Sequence, residues 1–267
     1  MRAHTKPFRF WNNQTPGKDP VPCQIYGPLY YVGSRQFCAY ALDTQDGLLL
    51  FDTMDKPSER LLARNVQKLG FSIKNVRWIF NTHYHFDHVG GNAMVMDRSH
   101  ATMFIHKKEL KRLDIGLGPG RFSKKHRVRP LRGSEILECG PIRVRVVFTP
   151  GQSMGSCCFF TEIDGPQGKK RVLVMGDASG FKSNKREMRL YGYHGTDKDY
   201  MKTIRKMKQF VFDLVLPGHA HQISLETRRD GSPWITRKEW LSFLNHRLAE
   251  MKSFVAEYPD FNQLIHS

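Results

Sequence analysis

The stretch Thr82–Gly91 reads THYHFDHVGG, and it says more about this chain than any other segment of its length. It follows VRWIFN (76–81), a short aliphatic and aromatic run that reads as a buried strand ending in polar residues. His83, His85 and His88 lie with Asp87 inside six residues. His83 and His85 are two apart in extended chain, so their side chains point to the same side. Asp87 and His88 fall where the chain turns into the next helix, and can face the same pocket. Imidazole nitrogens and a carboxylate oxygen suit Zn²⁺, and Fe²⁺ or Mn²⁺ would accept donors of the same kinds. Four such groups are too many for one catalytic ion that must keep a position open for water. The spacing therefore suggests two adjacent ions sharing a hydroxide.

Two ions need further ligands, and three candidates stand at strand ends. Asp177 follows RVLVMG (171–176), and His219 sits in LPGHAH (216–221). Gln152 sits in TPGQSMGS (149–156), a turn after the alternating strand IRVRVVF (142–148). Taken singly these signals are weak, because a lone Asp after a strand is more often a helix cap and a lone His a surface residue. Their common placement, after a strand and beside Gly, favours ligation for Asp177 and His219.

The rest of the chain supplies the scaffold. With 267 residues, 40% of them hydrophobic, the chain reads as a single domain spanning 1–267 with an ample core. Segments 28–44, 47–53, 76–83, 102–106 and 142–148 read as strands, and 157–163 with 171–175 as a hairpin. Residues 57–69 read as a helix, with Pro57 in its first turn and Gly70 just past its end. A basic helix with Leu110 and Leu113 follows 102–106, and the Gly-rich basic stretch 114–133 reads as a mobile surface loop. Asp197–Phe210 reads as a helix with Tyr200, Ile204, Met207 and Val211 on one side. The last helix starts at Thr236, where Thr-x-x-Glu to Glu239 makes a capping box, and its apolar side is Trp240, Leu244, Leu248, Met251 and Val255. Strands and helices thus come in two similar halves, each ending a strand in histidines. That pattern predicts an α/β fold of two packed sheets with helices outside, an αβ/βα sandwich.

Taken together, Asp52 in LLLFDT, THYHFDH, TPGQSMGS, GDAS (176–179) and PGH (217–219) resemble the metallo-β-lactamase superfamily, in its order and across nearly the whole chain. YYVG (30–33), THYHFDHVGGN, Tyr193 with Asp199-Tyr200 before a helix, and the long C-terminal helix resemble the lactamase subclass that binds two zinc ions without a cysteine ligand. The resemblance implies that His83 and His85 hold one ion, with Gln152 where the family has its third His. It implies that Asp87, His88 and His219 hold the other. Asp177 would bridge the two, as in glyoxalase-like members, although the cysteine-free lactamases carry Asp-Ser in this region. Asp52 would support the metal loop through hydrogen bonds. Gln152 departs from the pattern: it ligates through its oxygen, or turns away and leaves its place to water, or marks a homologue that no longer hydrolyses.

The implied activity is attack of a metal-activated hydroxide on the carbonyl of a cyclic amide, ester or thioester, with Asp87 orienting the nucleophile and shuttling a proton. β-Lactams have the best support from the resemblance, and lactones and glutathione thioesters share the chemistry. The net charge of +17 favours an anionic small molecule and keeps a nucleic-acid phosphodiesterase as the alternative. Against that alternative, many cations, among them Lys198, Lys202, Arg205, Lys206 and Lys208, lie on one solvated helical segment. The five cysteines form no CxxC pair and read as buried thiols of a reducing compartment. No apolar run approaches 18 residues, so no membrane span is expected. MRAHTKPFRFWNNQ (1–14) lacks the apolar stretch of a secretory leader, which suits the cytoplasm; a periplasmic or secreted location would need a leader removed from the sequence as given.

Overall fold

Aliphatic and aromatic runs interrupted by Gly and Asp turns fold into two facing sheets. The computed structural model describes residues 21–113, 123, 125–178, 197–219, 222 and 235–258. The first sheet holds β1 (Cys23–Tyr26), β2 (Leu29–Tyr31), β3 (Tyr40–Asp43), β4 (Leu48–Phe51), β5 (Val76–Phe80), β6 (Thr102–His106) and β7 (Arg127–Leu131), in that order. Pairs β1 to β4 are antiparallel and β4 to β7 are parallel. The second sheet is ordered β12 (Leu214–Pro217), β11 (Gly168–Gly176), β10 (Cys157–Gly165), β9 (Ile142–Phe148) and β8 (Ile136–Cys139). Its pairs are antiparallel except β11 with β12.

Strand β4 shows why both faces of the first sheet are covered. Leu49 and Phe51 join the core shared with the second sheet, while Leu48 and Leu50 join a core with Leu62 and Val66 of α1 (Glu59–Lys68), Val89 of the short α2 (Phe86–Val89), and Val95 and Met96 of α3 (Asn92–Ser99). A strand buried on both faces reads as a continuous apolar run, as LLLF does. Between the sheets, the Phe159 ring lies 5.8 Å from Phe51 and 5.2 Å from Phe80. On the other side of the second sheet, α4 (Asp197–Met207) and α5 (Arg237–Glu257) supply Tyr200, Ile204, Met207, Trp240, Leu244, Leu248 and Met251. Two mixed sheets with helices outside make the αβ/βα sandwich expected from the sequence.

Strand direction places the site. β4, β5 and β6 are parallel, as are β11 and β12, and β9 runs the same way as β11 because β10 is antiparallel to both. Their C-terminal ends therefore meet at one edge, where Cys157 N–H donates to Thr82 C=O at 2.9 Å and links the two sheets.

Several local expectations are corrected. Segment 28–44 is two strands, because the chain turns at Gly33 and Ser34, where the Asn65 amide donates to Val32 C=O and Gly33 C=O at 3.0 Å. The basic helix after β6 is a 3₁₀ turn, Leu110–Arg112. The stretch 114–133 ends in β7, an edge strand whose Arg and Pro residues disguise it; residues 114–122 and 124 lie outside the described residues. Strands β1 and β8 were not apparent in the sequence. Val211 lies beyond the end of α4 and is 42% exposed, so it leaves the apolar stripe. On α5 Phe254 is buried and Val255 is at its margin. The capping box is present, with Thr236 accepting from Glu239 N–H at 3.2 Å and Glu239 accepting from Thr236 N–H at 2.7 Å. All five cysteines are free thiols. No described helix is long and apolar enough to cross a membrane.

Phe159 bridges the sheets, so Phe159→Ala should destabilise the fold by about 3–5 kcal/mol, the usual cost of removing a buried aromatic side chain. Denaturant unfolding checks this; a loss below about 1 kcal/mol would mean that the sheets are held elsewhere.

Candidate metal centre

Each candidate side chain is aimed by a neighbour. After β4 the backbone turns through the left-handed region at Asp52 (φ 54°) and Met54 (φ 61°). The buried Asp52 carboxylate accepts Thr82 N–H at 2.9 Å, Thr82 Oγ1–H at 2.8 Å and His88 Nδ1–H at 2.8 Å. Because Thr82 Oγ1 spends its proton on Asp52, it accepts from His83 Nδ1–H at 3.1 Å. His219 Nδ1–H donates to Gln36 C=O at 2.9 Å. In all three rings the Nδ1 position is committed, which leaves Nε2 as the atom that could coordinate an ion, and such partners raise ligand basicity. The expected role of Asp52 as a hydrogen-bonding support is what its contacts describe.

The seven residues singled out in the sequence converge. One potential ligand atom from each of His83, His88 and Asp177 lies within 4.8 Å of the others, and the same holds for Asp87, His88 and His219. Asp177 Oδ2 lies 3.8 Å from His83 Nε2, 3.4 Å from His88 Nε2 and 3.5 Å from His219 Nε2. Asp87 Oδ2 lies 3.3 Å from His219 Nε2 and 3.9 Å from His88 Nε2. The His85 ring centroid is 4.4 Å from that of His83. Gln152 Nε2–H donates to Asp177 Oδ2 at 3.4 Å, so the Gln152 side chain faces the cluster. His83 Nε2, His88 Nε2 and Gln152 Oε1 are buried without a hydrogen-bond partner among the described residues. Buried polar atoms are seldom left unsatisfied, and lone pairs converging beside two carboxylates fit a cation.

The electrostatics agree. Burial disfavours the charged ring of His219, but Asp177 and Asp87 outweigh it and push its pKa up to about 10. Burial likewise opposes the charge on His88, and Asp177, Asp52 and Asp87 hold its pKa well above the usual histidine value. Against their own burial, Asp177 is held well below the ordinary carboxylate range by His219 and His88, and Asp87 is lowered by His88 and His219. Burial, with the nearby His88 and His85 rings, holds His83 well below the ordinary histidine value. The pocket is therefore two carboxylates and a set of imidazoles that share positive charge, the electrostatic pattern that a divalent cation would satisfy.

Further supports are not visible as motifs. Gln222 Oε1 accepts Gly218 N–H at 3.1 Å and His219 N–H at 3.2 Å, and its Nε2–H donates to Asp177 Oδ1 at 2.6 Å. Asn81 Nδ2–H donates to His88 C=O at 2.9 Å, and Asn92 Nδ2–H to Asn81 Oδ1 at 2.8 Å. These are single amides in polar segments, and only their burial distinguishes them. Gly218 is dictated by space: a Cβ there would stand 2.3 Å from Asp177 Oδ1 and 2.7 Å from His88 Cε1. Tyr193 and Ser179 lie outside the described residues, Tyr200 is a buried core residue, and Asp199 lies in the first turn of α4.

Residues 38–219 match the model of the metallo-β-lactamase superfamily, and the chain belongs to that superfamily. Its structure is similar to a subclass B3 metallo-β-lactamase of Bradyrhizobium japonicum, with a TM-score of 0.75 and 24% identity, covering 89% of this chain and 94% of that one. It is similar to a β-lactamase from Chitinophaga pinensis at a TM-score of 0.70 and 25% identity, covering 100% and 99%. Solved structures named as subclass B3 metallo-β-lactamases thus share this fold. Among curated proteins, the probable metallo-hydrolase YqgX of Bacillus subtilis is 25% identical over 76% of this chain and 94% of its own length. Hydroxyacylglutathione hydrolase of Maricaulis maris is 27% identical over 113 residues, which span only 39% of that enzyme.

Asp52 touches His88 without facing the ion position. Asp52→Asn should therefore keep the fold and lower Zn²⁺ affinity by roughly 10–100-fold, as loss of a ligand's hydrogen-bond partner does. Competition with a chromophoric chelator measures it; unchanged affinity would show that Asp52 serves the loop backbone alone.

Proposed function

We propose that this chain is a metal-dependent hydrolase acting on a carbonyl substrate, with β-lactam ring opening the leading reaction and lactone or thioester hydrolysis within the same chemistry. The observation that carries the reading is the convergence of His83 Nε2 and His88 Nε2, buried and unsatisfied among the described residues, on two carboxylates, beside a Gln152 side chain whose Nε2 meets Asp177 and whose Oε1 is unsatisfied. His83, His85 and Gln152 would hold one Zn²⁺, and Asp87, His88 and His219 the other, with Asp177 between them. Bound zinc would lower the pKa of water toward neutrality and polarise the substrate carbonyl.

The protein's own groups do the rest. Asp87 is partly exposed at the cluster, unlike buried His83, His88 and Asp177, and is held ionised by His88 and His219. Its carboxylate can accept a proton from attacking water and return it to the leaving nitrogen, oxygen or sulfur. Asp177 balances the imidazole charge, and Gln222 fixes its orientation. β-Lactams lead because the structural neighbours named as β-lactamases are matched over nearly their whole length. A thioester is the second reading: Asp177 would take the bridging role of glyoxalase-like members, and relatives named hydroxyacylglutathione hydrolase match part of the chain. The net charge of +17 favours an anionic substrate in either case.

A zinc-reconstituted preparation assayed against β-lactams, lactones, glutathione thioesters and phosphodiesters tests the proposal. Hydrolysis of one carbonyl class, abolished by chelation, is expected; turnover of phosphodiesters alone would replace it with the nucleic-acid alternative. Asp87→Asn should reduce kcat by roughly 10²–10⁴-fold, the range for losing a general acid–base group, and activity that withstands both this change and chelation would overturn the mechanism.

Gln152 offers a neutral amide oxygen where imidazole would bind zinc more strongly. The two ions should therefore differ in affinity, with the Asp87–His88–His219 position filling first. Gln152→His should raise the zinc content from nearer one to nearer two per chain. Metal analysis during zinc titration decides it; equal filling of both positions in the unaltered protein would show that Gln152 is an adequate ligand.

A further inference from the structure

Glu109 lies in HKKELKR (106–112), a segment that reads as a solvated basic surface, yet its side chain is only 1% exposed. It projects from the turn after β6, a strand that contributes no candidate ligand. Glu109 Oε2 accepts Tyr84 N–H at 3.0 Å and Ser153 Oγ–H at 3.0 Å, and Oε1 accepts Gly155 N–H at 2.6 Å. Tyr84 stands between His83 and His85, and Ser153 directly follows Gln152. One buried carboxylate thus grips both segments that carry the three candidate donors of the first ion.

We propose that Glu109 is a positioning residue that clamps the His83–His85 strand end against the Gln152 turn and so sets the spacing of the first ion's donors. The inference rests on the metallo-hydrolase reading of the site. The Tyr84 N–H belongs to the same rigid peptide plane as the His83 carbonyl, so holding it fixes the backbone between the two histidines. Contact on the other side is equally close. A Cβ at Gly155 would lie 2.5 Å from Glu109 Oε1 and 2.8 Å from its Cγ, so glycine there makes room for the carboxylate. The Ser153 hydroxyl is 2.7 Å from that of Ser156, and Ser153 N–H donates to Ser156 Oγ at 3.1 Å, so the grip reaches the whole turn. Burial pushes the Glu109 carboxyl up, and the Tyr84, Ser153 and Gly155 donors, with the Arg112 guanidinium, favour its ionised form against that. A neutral side chain of similar size could not accept from three donors at once.

The test uses the full chain and the variants E109A, E109Q, E109D and S153A, with D213N at the distant Arg171 ion pair as a control for general destabilisation. Zinc affinity is read by chelator competition, and site geometry by the absorption spectrum of the Co²⁺-substituted protein. E109A and E109Q should weaken binding of the less tightly held ion by roughly tenfold or more and alter the Co²⁺ spectrum. E109D, which keeps the carboxylate but withdraws it by one methylene, should fall between them and the unaltered protein, and D213N should match the unaltered protein. If E109A does not fold, E109Q and S153A carry the test, S153A removing one of the three hydrogen bonds without disturbing the charge. Folded E109Q and S153A proteins with unaltered zinc affinity and Co²⁺ spectrum would overturn the clamp alone. An unaltered protein that binds no metal would overturn the metallo-hydrolase reading and the clamp with it.

Discussion

The buried carboxylate of Asp52 is the point on which the centre depends. It takes four hydrogen bonds, from the backbone and hydroxyl of Thr82, from the ring of His88 and, at 3.4 Å, from the Asn81 amide. Through Thr82 Oγ1 it also sets the ring of His83. One anion thus orients two imidazoles and the start of the histidine loop. A carboxylate at 3% exposure is costly to desolvate, and the four donors compensate it. The left-handed backbone at Asp52 and Met54 is held because His88 C=O accepts Thr53 N–H at 2.8 Å and Met54 C=O accepts Gly90 N–H at 2.9 Å. Orientation of the site and conformation of the loop are therefore one set of bonds.

That arrangement requires two sheets whose strands end at a common edge. The parallel part of the first sheet brings Asp52 beside the histidine loop, since β4 and β5 are adjacent. The parallel pair β11–β12 brings Asp177 beside His219 in the second sheet. Aromatic packing of Phe51, Phe80 and Phe159 holds the two sheets face to face, and the Cys157–Thr82 hydrogen bond aligns their edges. Packing and chemistry meet at the strand ends: the last inward residues of the strands are apolar, and the next residues are ligand candidates.

The centre is also asymmetric. The side of Asp87, His88 and His219 combines a carboxylate with imidazoles, and a neutral amide stands on the side of His83 and His85. Asp177 receives Gln152 Nε2–H at 3.4 Å and Gln222 Nε2–H at 2.6 Å, so two amides hold the one carboxylate that lies among His83, His88 and His219. Negative charge from Asp177 on the His83 side offsets in part what Gln152 does not provide.

Much of this was legible in the amino-acid order. THYHFDH announces a metal centre because four donors so close together have little other use, and periodicity over LLLF, TMFIH and IRVRVVF marks strands whose burial follows from their side chains. Thr-x-x-Glu at 236–239 fixed the start of the last helix by local hydrogen bonds alone. Strand β7 stayed hidden among Arg and Pro residues because an edge strand draws its order from the partner β6 and not from its own propensity. Val211 leaves the expected stripe because it lies past a helix end, and Phe254, one residue before Val255, takes the buried place at the end of the last helix. Glu109 and Gln222 were invisible for a stronger reason: a lone Glu among lysines and a lone Gln after histidines carry no periodicity. The chain itself determines which donors exist and that they follow strands. Only the packing of one sheet on the other decides which backbone and side-chain donors face a buried carboxylate, because those contacts join residues 25 to 46 positions apart.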